Sequence, residues 1–137
     1  MMECMECNEK TIISTEADIV VARQKARELA RELGFSATDQ AKIATAVSEL
    51  ARNIVVYAQK GEIVCRILIN GQRKGIEIVA RDQGPGIANI ELALTDGIST
   101  SNGLGIGLPG ARRLMGELHV ESASGQGTSI MTRKWLN

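Results

Sequence analysis

Apolar residues recur along this chain at two spacings, one typical of helices and the other typical of strands. From about Glu16, apolar positions recur at steps of three and four as far as Leu33, which predicts a helix that ends before Gly34. Ser36 or Thr38 then predicts the N-cap of a second helix. The apolar stripe of this second helix consists of Ile43, Val47, Leu50, Ile54 and Tyr57.

The strand-like segments are arranged mostly as hairpins. Alternating apolar residues predict one hairpin over 62–81, with a turn at Asn70-Gly71, and a second over 118–134. The other predicted elements are a short strand over 10–14, a short helix over 88–95, a polar loop over 96–102 and a helix that begins near Pro109. Antiparallel hairpins with few helices between them favour an α+β sandwich over a doubly wound sheet.

Length and charge narrow the classes of protein to consider. The chain has 137 residues, which suits a single domain over 10–137 preceded by a flexible tail over 1–9. The 16 basic and 16 acidic residues cancel, so no basic excess exists to attract nucleic acid or a membrane surface. No apolar run approaches the ~20 residues of a membrane span, and the acidic start is not a signal peptide.

The cysteines give no metal or disulfide framework. Cys4 and Cys7 have C-x-x-C spacing, but only Cys65 and His119 remain to complete a structural zinc site. We therefore interpret Cys4 and Cys7 as part of a terminus without a function. Three cysteines of this kind indicate reduced thiols and a cytoplasmic location.

Two glycine-containing segments indicate a nucleotide pocket. Asp82-Gln83-Gly84-Pro85-Gly86-Ile87 follows an apolar strand, and an alternating-glycine loop runs from Asn102 to Pro109. The loop contains G-x-G-x-x-G, but it lacks the preceding strand of a dinucleotide-binding fold, and no P-loop sequence occurs. Glycines before a helix still allow an anion to approach unpaired backbone N–H groups closely. The alternative is a glycine-rich loop that only precedes a helix.

Three polar side chains are the candidates for chemistry. Asp82, on a rigid turn, could accept a hydrogen bond from the amine of adenine, or could simply form the turn. Glu49 and Asn53 lie four residues apart on one flank of the second helix. Glu49 could act as a general base and Asn53 could ligate Mg²⁺, whereas the alternative is an ordinary polar surface.

Four segments in order carry a resemblance to a known family. Glu49-Leu50-Ala51-Arg52-Asn53 resembles the N box of the GHKL (Bergerat-fold) ATPases and kinases, and the Asp82 segment resembles their G1 box. Residues 102–108 resemble the G2 box, and Gly125-Gln126-Gly127-Thr128 resembles the terminal G-x-G-T segment. The resemblance implies a two-layer α/β sandwich, with a mixed, mostly antiparallel sheet and helices on one face.

Within that superfamily, the chain is most similar to the RsbT-type switch kinases of the bacterial stressosome and the related anti-sigma factor kinases. This resemblance implies ATP and Mg²⁺ as cofactors and a serine/threonine kinase activity on STAS-domain scaffold and antagonist proteins. It also implies that the released kinase activates a PP2C-type phosphatase. The balanced charge, independently, argues against a nucleic-acid or membrane partner.

The resemblance also implies a role for each matching position. Glu49 would be the catalytic base and Asn53 the Mg²⁺ ligand, while Asp82 would bind adenine with Thr128 beside it. The remaining nucleotide-binding positions would be Gly84, Gly86 and Ile87 around the base and ribose, and Gly103, Leu104, Gly105, Ile106, Gly107 and Leu108 around the phosphates.

Three alternatives stay open from the sequence. A histidine-kinase catalytic domain would need a phosphoacceptor histidine on a dimerisation helix, and His119 lies near a predicted strand. An anti-sigma factor kinase would sequester a sigma factor and phosphorylate a STAS anti-anti-sigma factor. A non-catalytic, nucleotide-gated binding module would not need both Glu49 and Asn53.

Overall fold

A single antiparallel sheet forms one layer of the molecule. The structure is a computed structural model that describes residues 3–84, 107–122 and 127–136. The strands are β1 (Glu3–Ile13), β2 (Gly61–Asn70), β3 (Arg73–Asp82), β4 (Glu117–Ser122) and β5 (Thr128–Trp135). They lie in the order β1-β2-β3-β5-β4, and each neighbouring pair is antiparallel. The predicted α+β architecture and both predicted hairpins are confirmed.

The helices begin and end at residues whose local chemistry favours those boundaries. Helix α1 (Glu16–Leu33) starts at a capping box in which Thr15 and Asp18 satisfy each other's backbone N–H groups. Gly34 ends α1 with a φ of 99°, a left-handed conformation that glycine adopts without a steric penalty. Helix α2 (Ala37–Asn53) is capped by Ser36, and helix α3 spans Gly107–Met115. The predicted cap of α2 is therefore Ser36 rather than Thr38.

The hydrophobic core lies between α1, α2 and one face of the sheet. Alternate residues of β2 and β3, including Ile63, Cys65 and Ile78, are buried against the helices. Burial of each isoleucine among them stabilises the fold by roughly 1.5–3 kcal/mol. The core also takes in Leu108 and Ala111 of α3, so this helix is held against the same layer.

The opposite face of the sheet carries an ion-pair ladder across three strands. Glu77 of β3 is 4% exposed, and it pairs with Arg66 of β2 at 3.0 Å and with Arg133 of β5 at 2.9 Å. Because these residues are direct cross-strand neighbours, the ladder favours one register. That register places Asp82 at the end of β3 opposite Thr128 at the start of β5.

Strand β1 is longer than the sequence indicated. It begins at Glu3, whereas we predicted a strand over 10–14 and a tail over 1–9. The pairing shifts between Cys4 and Asn8, so an irregularity interrupts the ladder with β2. The first residues of β1 are held by backbone pairing with β2. The weak apolar pattern of residues 3–9 did not indicate this pairing.

The apolar stripe of the second helix departs from prediction at its end. Tyr57 is 46% exposed, although the helical spacing placed it in the core. Residues Ile54–Ala58 form a π-helical segment, in which each turn contains an extra residue. The extra residue rotates Tyr57 away from the buried face. The predicted helix over 88–95 and the loop over 96–102 lie outside the described residues.

The described residues contain neither a candidate membrane span nor a candidate metal cluster. No helix in this part of the chain is long and apolar enough to cross a membrane. Nor do the histidine, cysteine, aspartate and glutamate side chains of the described ranges form a group of three or more that could hold a metal ion.

Cys65 should be chemically inert in the folded protein. Its side chain is 2% exposed, and burial raises the pKa of the thiol from 9.0 to about 12. Because the thiolate is the reactive species, we expect iodoacetamide at pH 8 to leave Cys65 unmodified in the native protein and to modify it in guanidinium chloride. Peptide mass mapping measures both. Rapid native modification of Cys65 would contradict this packing.

Candidate active site

The carboxylate of Glu49 lies at the junction between α2 and α3. Glu49 is 4% exposed, and its Oε1 lies 3.3 Å from Nη1 of Arg52. Its Oε2 accepts a hydrogen bond from the backbone N–H of Gly107 at 3.3 Å. A buried carboxylate needs such partners, because an uncompensated buried charge is strongly unfavourable. The two contacts fix the side chain that we predicted to be the base.

Gly107 is the first residue of α3 and directs its N–H group at Glu49. Its φ of 67° lies in the left-handed region, where a side chain would be strained. The N-terminus of a helix carries partial positive charge and unpaired N–H groups, which attract a carboxylate or a phosphate. In this structure the N–H of Gly107 is used to hold the Glu49 carboxylate. Leu108, by contrast, is 1% exposed and its side chain packs in the core.

Asp82 lies where β3 ends. Its Oδ1 accepts a hydrogen bond from the N–H of Gly84 at 2.9 Å, which closes a turn of the kind that aspartate side chains stabilise. No described residue donates a hydrogen bond to Oδ2. The side chain is half-buried. Asp82 therefore forms the turn, and it keeps a second carboxylate oxygen that a ligand amine could approach.

A polar cluster on β4 and β5 borders Asp82. The hydroxyl of Ser122 donates to the carbonyl of Gly127 at 2.9 Å and lies 2.9 Å from the hydroxyl of Thr128. Thr128 is the cross-strand partner of both Asp82 and Ser122. No sequence motif pointed to Ser122 as a site residue. Extending the predicted second hairpin by one residue would have placed it opposite Thr128.

Two glycines allow backbone segments to meet beside Asp82. A Cβ atom on Gly127 would lie 2.3 Å from the carbonyl oxygen of Asp82, and the φ of Gly127 is 82°. A Cβ atom on Gly84 would lie 2.6 Å from the Cβ of Ala58, in the π-helical segment. A Cβ atom essentially never lies this close to an atom to which it is not bonded. Both glycines are thus required by packing, in addition to any contact of Gly84 with a ligand.

An open cavity lies at these strand ends. Its volume is about 410 Å³, and its described lining includes Asp82, Gln83, Ser122, Gly127 and Thr128. This size falls in the ordinary range of ligand pockets, roughly 300–1,000 Å³. Asn53, the last residue of α2, is half-buried. The other predicted positions, Gly86, Ile87, Gly103, Leu104, Gly105 and Ile106, lie outside the described residues.

The side-chain amide of Asn53 suits Mg²⁺ better than a metal that takes all of its ligands from the protein. Mg²⁺ prefers oxygen ligands, and it usually takes one or two from the protein and the rest from phosphates and water. Asn53 supplies an amide oxygen at the end of α2, the same helix that carries Glu49. That composition is compatible with a metal that arrives together with a nucleotide.

Comparison with known proteins places these features in a family. The Histidine kinase-like ATPase domain family matches residues 12–134. The chain is 55% identical over 124 residues to the serine/threonine-protein kinase RsbT of Bacillus subtilis (strain 168), a match that covers 90% of this chain and 93% of that protein. It is 30% identical over 141 residues to the anti-sigma F factor of Thermoanaerobacter sp. (strain X514). This match covers 98% of the present chain and 97% of that protein.

A solved structure shows the same fold. The crystal structure of the RsbU and RsbW domains of a Mycobacterium tuberculosis protein superposes with a TM-score of 0.62 at 21% identity. The match covers 96% of this chain and 33% of that chain, so the present chain corresponds to about a third of the solved one.

The close approach at Gly127 predicts a defect specific to the cavity. We expect Gly127→Ala to displace the end of β3 and to weaken ATP binding by at least ~10-fold, because its Cβ would overlap the Asp82 carbonyl. Gly116→Ala is a matched control, since Gly116 has a φ of 97° with no atom within 4 Å of its added Cβ. Calorimetric titration with ATP and Mg²⁺ measures both variants. Equal affinities would contradict the assignment of the cavity.

Proposed function

The chain belongs to the histidine kinase-like ATPase domain family and is a protein serine/threonine kinase within it, and from this premise we propose that it phosphorylates STAS-domain stressosome proteins in a bacterial general stress pathway. The observation that carries the proposed mechanism is the buried Glu49 carboxylate, which contacts the N-terminus of α3. A carboxylate held beside an anion-binding helix terminus is positioned to accept a proton near a phosphate group.

The proposed reaction is a direct transfer of the γ-phosphoryl group. The hydroxyl oxygen of a serine or threonine forms a bond to the γ-phosphorus, and the bond from that phosphorus to the β,γ-bridging oxygen breaks. The bridging oxygen leaves with the electron pair as part of ADP. Glu49 accepts the hydroxyl proton. Positioning and charge stabilisation supply most of the catalysis in such transfers.

The remaining site residues hold ATP. Asp82 accepts a hydrogen bond from the adenine amine, directly or through water, and Thr128 lies across the strand pair from it. We assign the phosphates to the N-terminal end of α3, where the N–H of Gly107 holds Glu49; Gly103 and Gly105 precede Gly107 in the sequence. Asn53 would hold Mg²⁺, which when bound would neutralise phosphate charge.

The proposed partners rest on the chain's similarity to one branch of the family. The 55% identity to a serine/threonine-protein kinase over nearly its whole length supports an activity of the same type in this chain. We propose STAS-domain scaffold and antagonist proteins as substrates, a PP2C-type phosphatase as the target that the released kinase activates, and the cytoplasm as the location. The balanced charge of the chain is consistent with protein partners rather than nucleic acid or membrane.

A second candidate function is an anti-sigma factor kinase. The 30% identity to an anti-sigma F factor, over almost the full length of both chains, favours it as the alternative. Such a protein would bind a sigma factor and phosphorylate a STAS anti-anti-sigma factor. Co-purification of this chain with the sigma factors of its host distinguishes the two functions.

Label transfer tests the proposed activity. The chain is incubated with γ-labelled ATP, Mg²⁺ and the STAS-domain proteins of its own host, and the labelled residue is mapped by mass spectrometry. We expect label on a serine or threonine of a STAS protein. ATP binding without any label would instead favour a nucleotide-gated binding module.

The base role of Glu49 predicts a specific loss in the same assay. Glu49→Gln keeps the shape of the side chain but removes the proton acceptor, so we expect phosphoryl transfer to fall by at least ~100-fold. ATP affinity should stay near that of the unmodified chain. A Glu49→Gln variant that transfers label at the unmodified rate would contradict the mechanism.

A further inference from the structure

We propose that Arg52 is a positioning residue for phosphoryl transfer, which orients the Glu49 carboxylate toward the N-terminus of α3. The inference rests on the proposed base role of Glu49. It assigns a function to a side chain that contacts neither the Asp82 cavity nor the amide of Gly107 in the described structure.

The first argument is the division of the two carboxylate oxygens. Oε1 faces Nη1 of Arg52 at 3.3 Å, and Oε2 accepts the hydrogen bond from Gly107 at 3.3 Å. Contacts to both oxygens fix the rotation of the carboxylate as well as its place. If the Arg52 contact were lost, the carboxylate could turn about its terminal bond, whose rotational preference is broad.

The second argument is the burial of the pair. The Glu49 side chain is 6% exposed and that of Arg52 is 31% exposed, so Arg52 reaches from the surface to a buried anion. Within the described ranges, Arg52 is the cationic side chain that pairs with Glu49. Its charge and its planar donor group therefore act on the carboxylate in a site of low polarity, where such contacts are strong.

A second ion pair on the same helix provides a contrast. Lys42 and Asp39 have the same spacing of three residues, but they lie 4.0 Å apart with side chains 44% and 36% exposed. Exposed pairs of this kind contribute little. The Arg52 pair is thus not a general property of i,i+3 spacing on α2. Lys42→Gln is the matched control, because it removes a cation and an ion pair from the same helix.

The turnover test uses MgATP alone, with water as the acceptor and enzyme in excess. We expect Arg52→Gln to slow hydrolysis by roughly 10- to 100-fold while ATP affinity changes by less than about twofold, because misplacement of a catalytic group affects the chemical step rather than binding. Arg52→Lys should recover part of the loss. Lys42→Gln should hydrolyse ATP at the unmodified rate.

A double-mutant cycle separates positioning from a structural role. If Arg52 acts through Glu49, adding Arg52→Gln to Glu49→Gln causes no further loss of turnover. If Arg52→Gln slows turnover in the Glu49→Gln variant as much as it does in the unmodified chain, the inference is overturned. Unmodified turnover in Glu49→Gln alone would overturn the proposed base role, and with it the premise, so the two failures are distinguishable.

An NMR measurement tests the geometry without depending on turnover. We expect Arg52→Gln to move the amide proton resonance of Gly107 in the same direction as Glu49→Gln does, by at least about half as much, because the shared carboxylate oxygen is displaced. An unchanged Gly107 resonance in Arg52→Gln, together with a moved resonance in Glu49→Gln, would show that Arg52 does not orient the carboxylate.

Discussion

The proposed active site depends on how one buried negative charge is compensated. Glu49 is almost fully buried, and its partners are a side chain on its own helix and a backbone amide 58 residues away. Removal of a partner from a buried ion pair costs roughly 3–5 kcal/mol, although the partial exposure of Arg52 reduces that figure here. The same requirement therefore joins α2 to α3 and holds a carboxylate beside an anion-binding helix terminus. In the proposed mechanism, stability and chemistry use the same contacts.

The nucleotide side of the site depends on the sheet. The Glu77 ladder favours the register of β2, β3 and β5 on one face, and that register brings Asp82 opposite Thr128 at the strand ends. Gly127 lets the two backbones approach more closely than any side chain would permit. The cavity is thus produced by strand pairing and glycine packing, which leaves Asp82 on a rigid turn.

The sequence predicted the features that local chemistry decides. The cap of α2, the end of α1 at Gly34 and the two hairpins follow from residue types at short range, and the structure confirms them. The prediction that Tyr57 packs in the core was wrong, because a π-helical segment changes the number of residues per turn without changing the apolar pattern. Arg52 could not be recognised because its contact matters only once α3 covers Glu49. The roles of Asn53 and Asp82 toward ligands remain predictions.

The most direct test of the account is to locate bound ATP. Amide resonances are followed while MgATP is added to the labelled chain. We expect the largest changes at Asp82, Gly84, Gly107 and Thr128. A second cavity, of about 220 Å³, lies between α1 and the start of α2 and is lined by Gln24, Arg27, Glu28, Arg31 and Gln40. Changes confined to that groove, with Asp82 and Gly107 unaffected, would contradict the assignment of the active site.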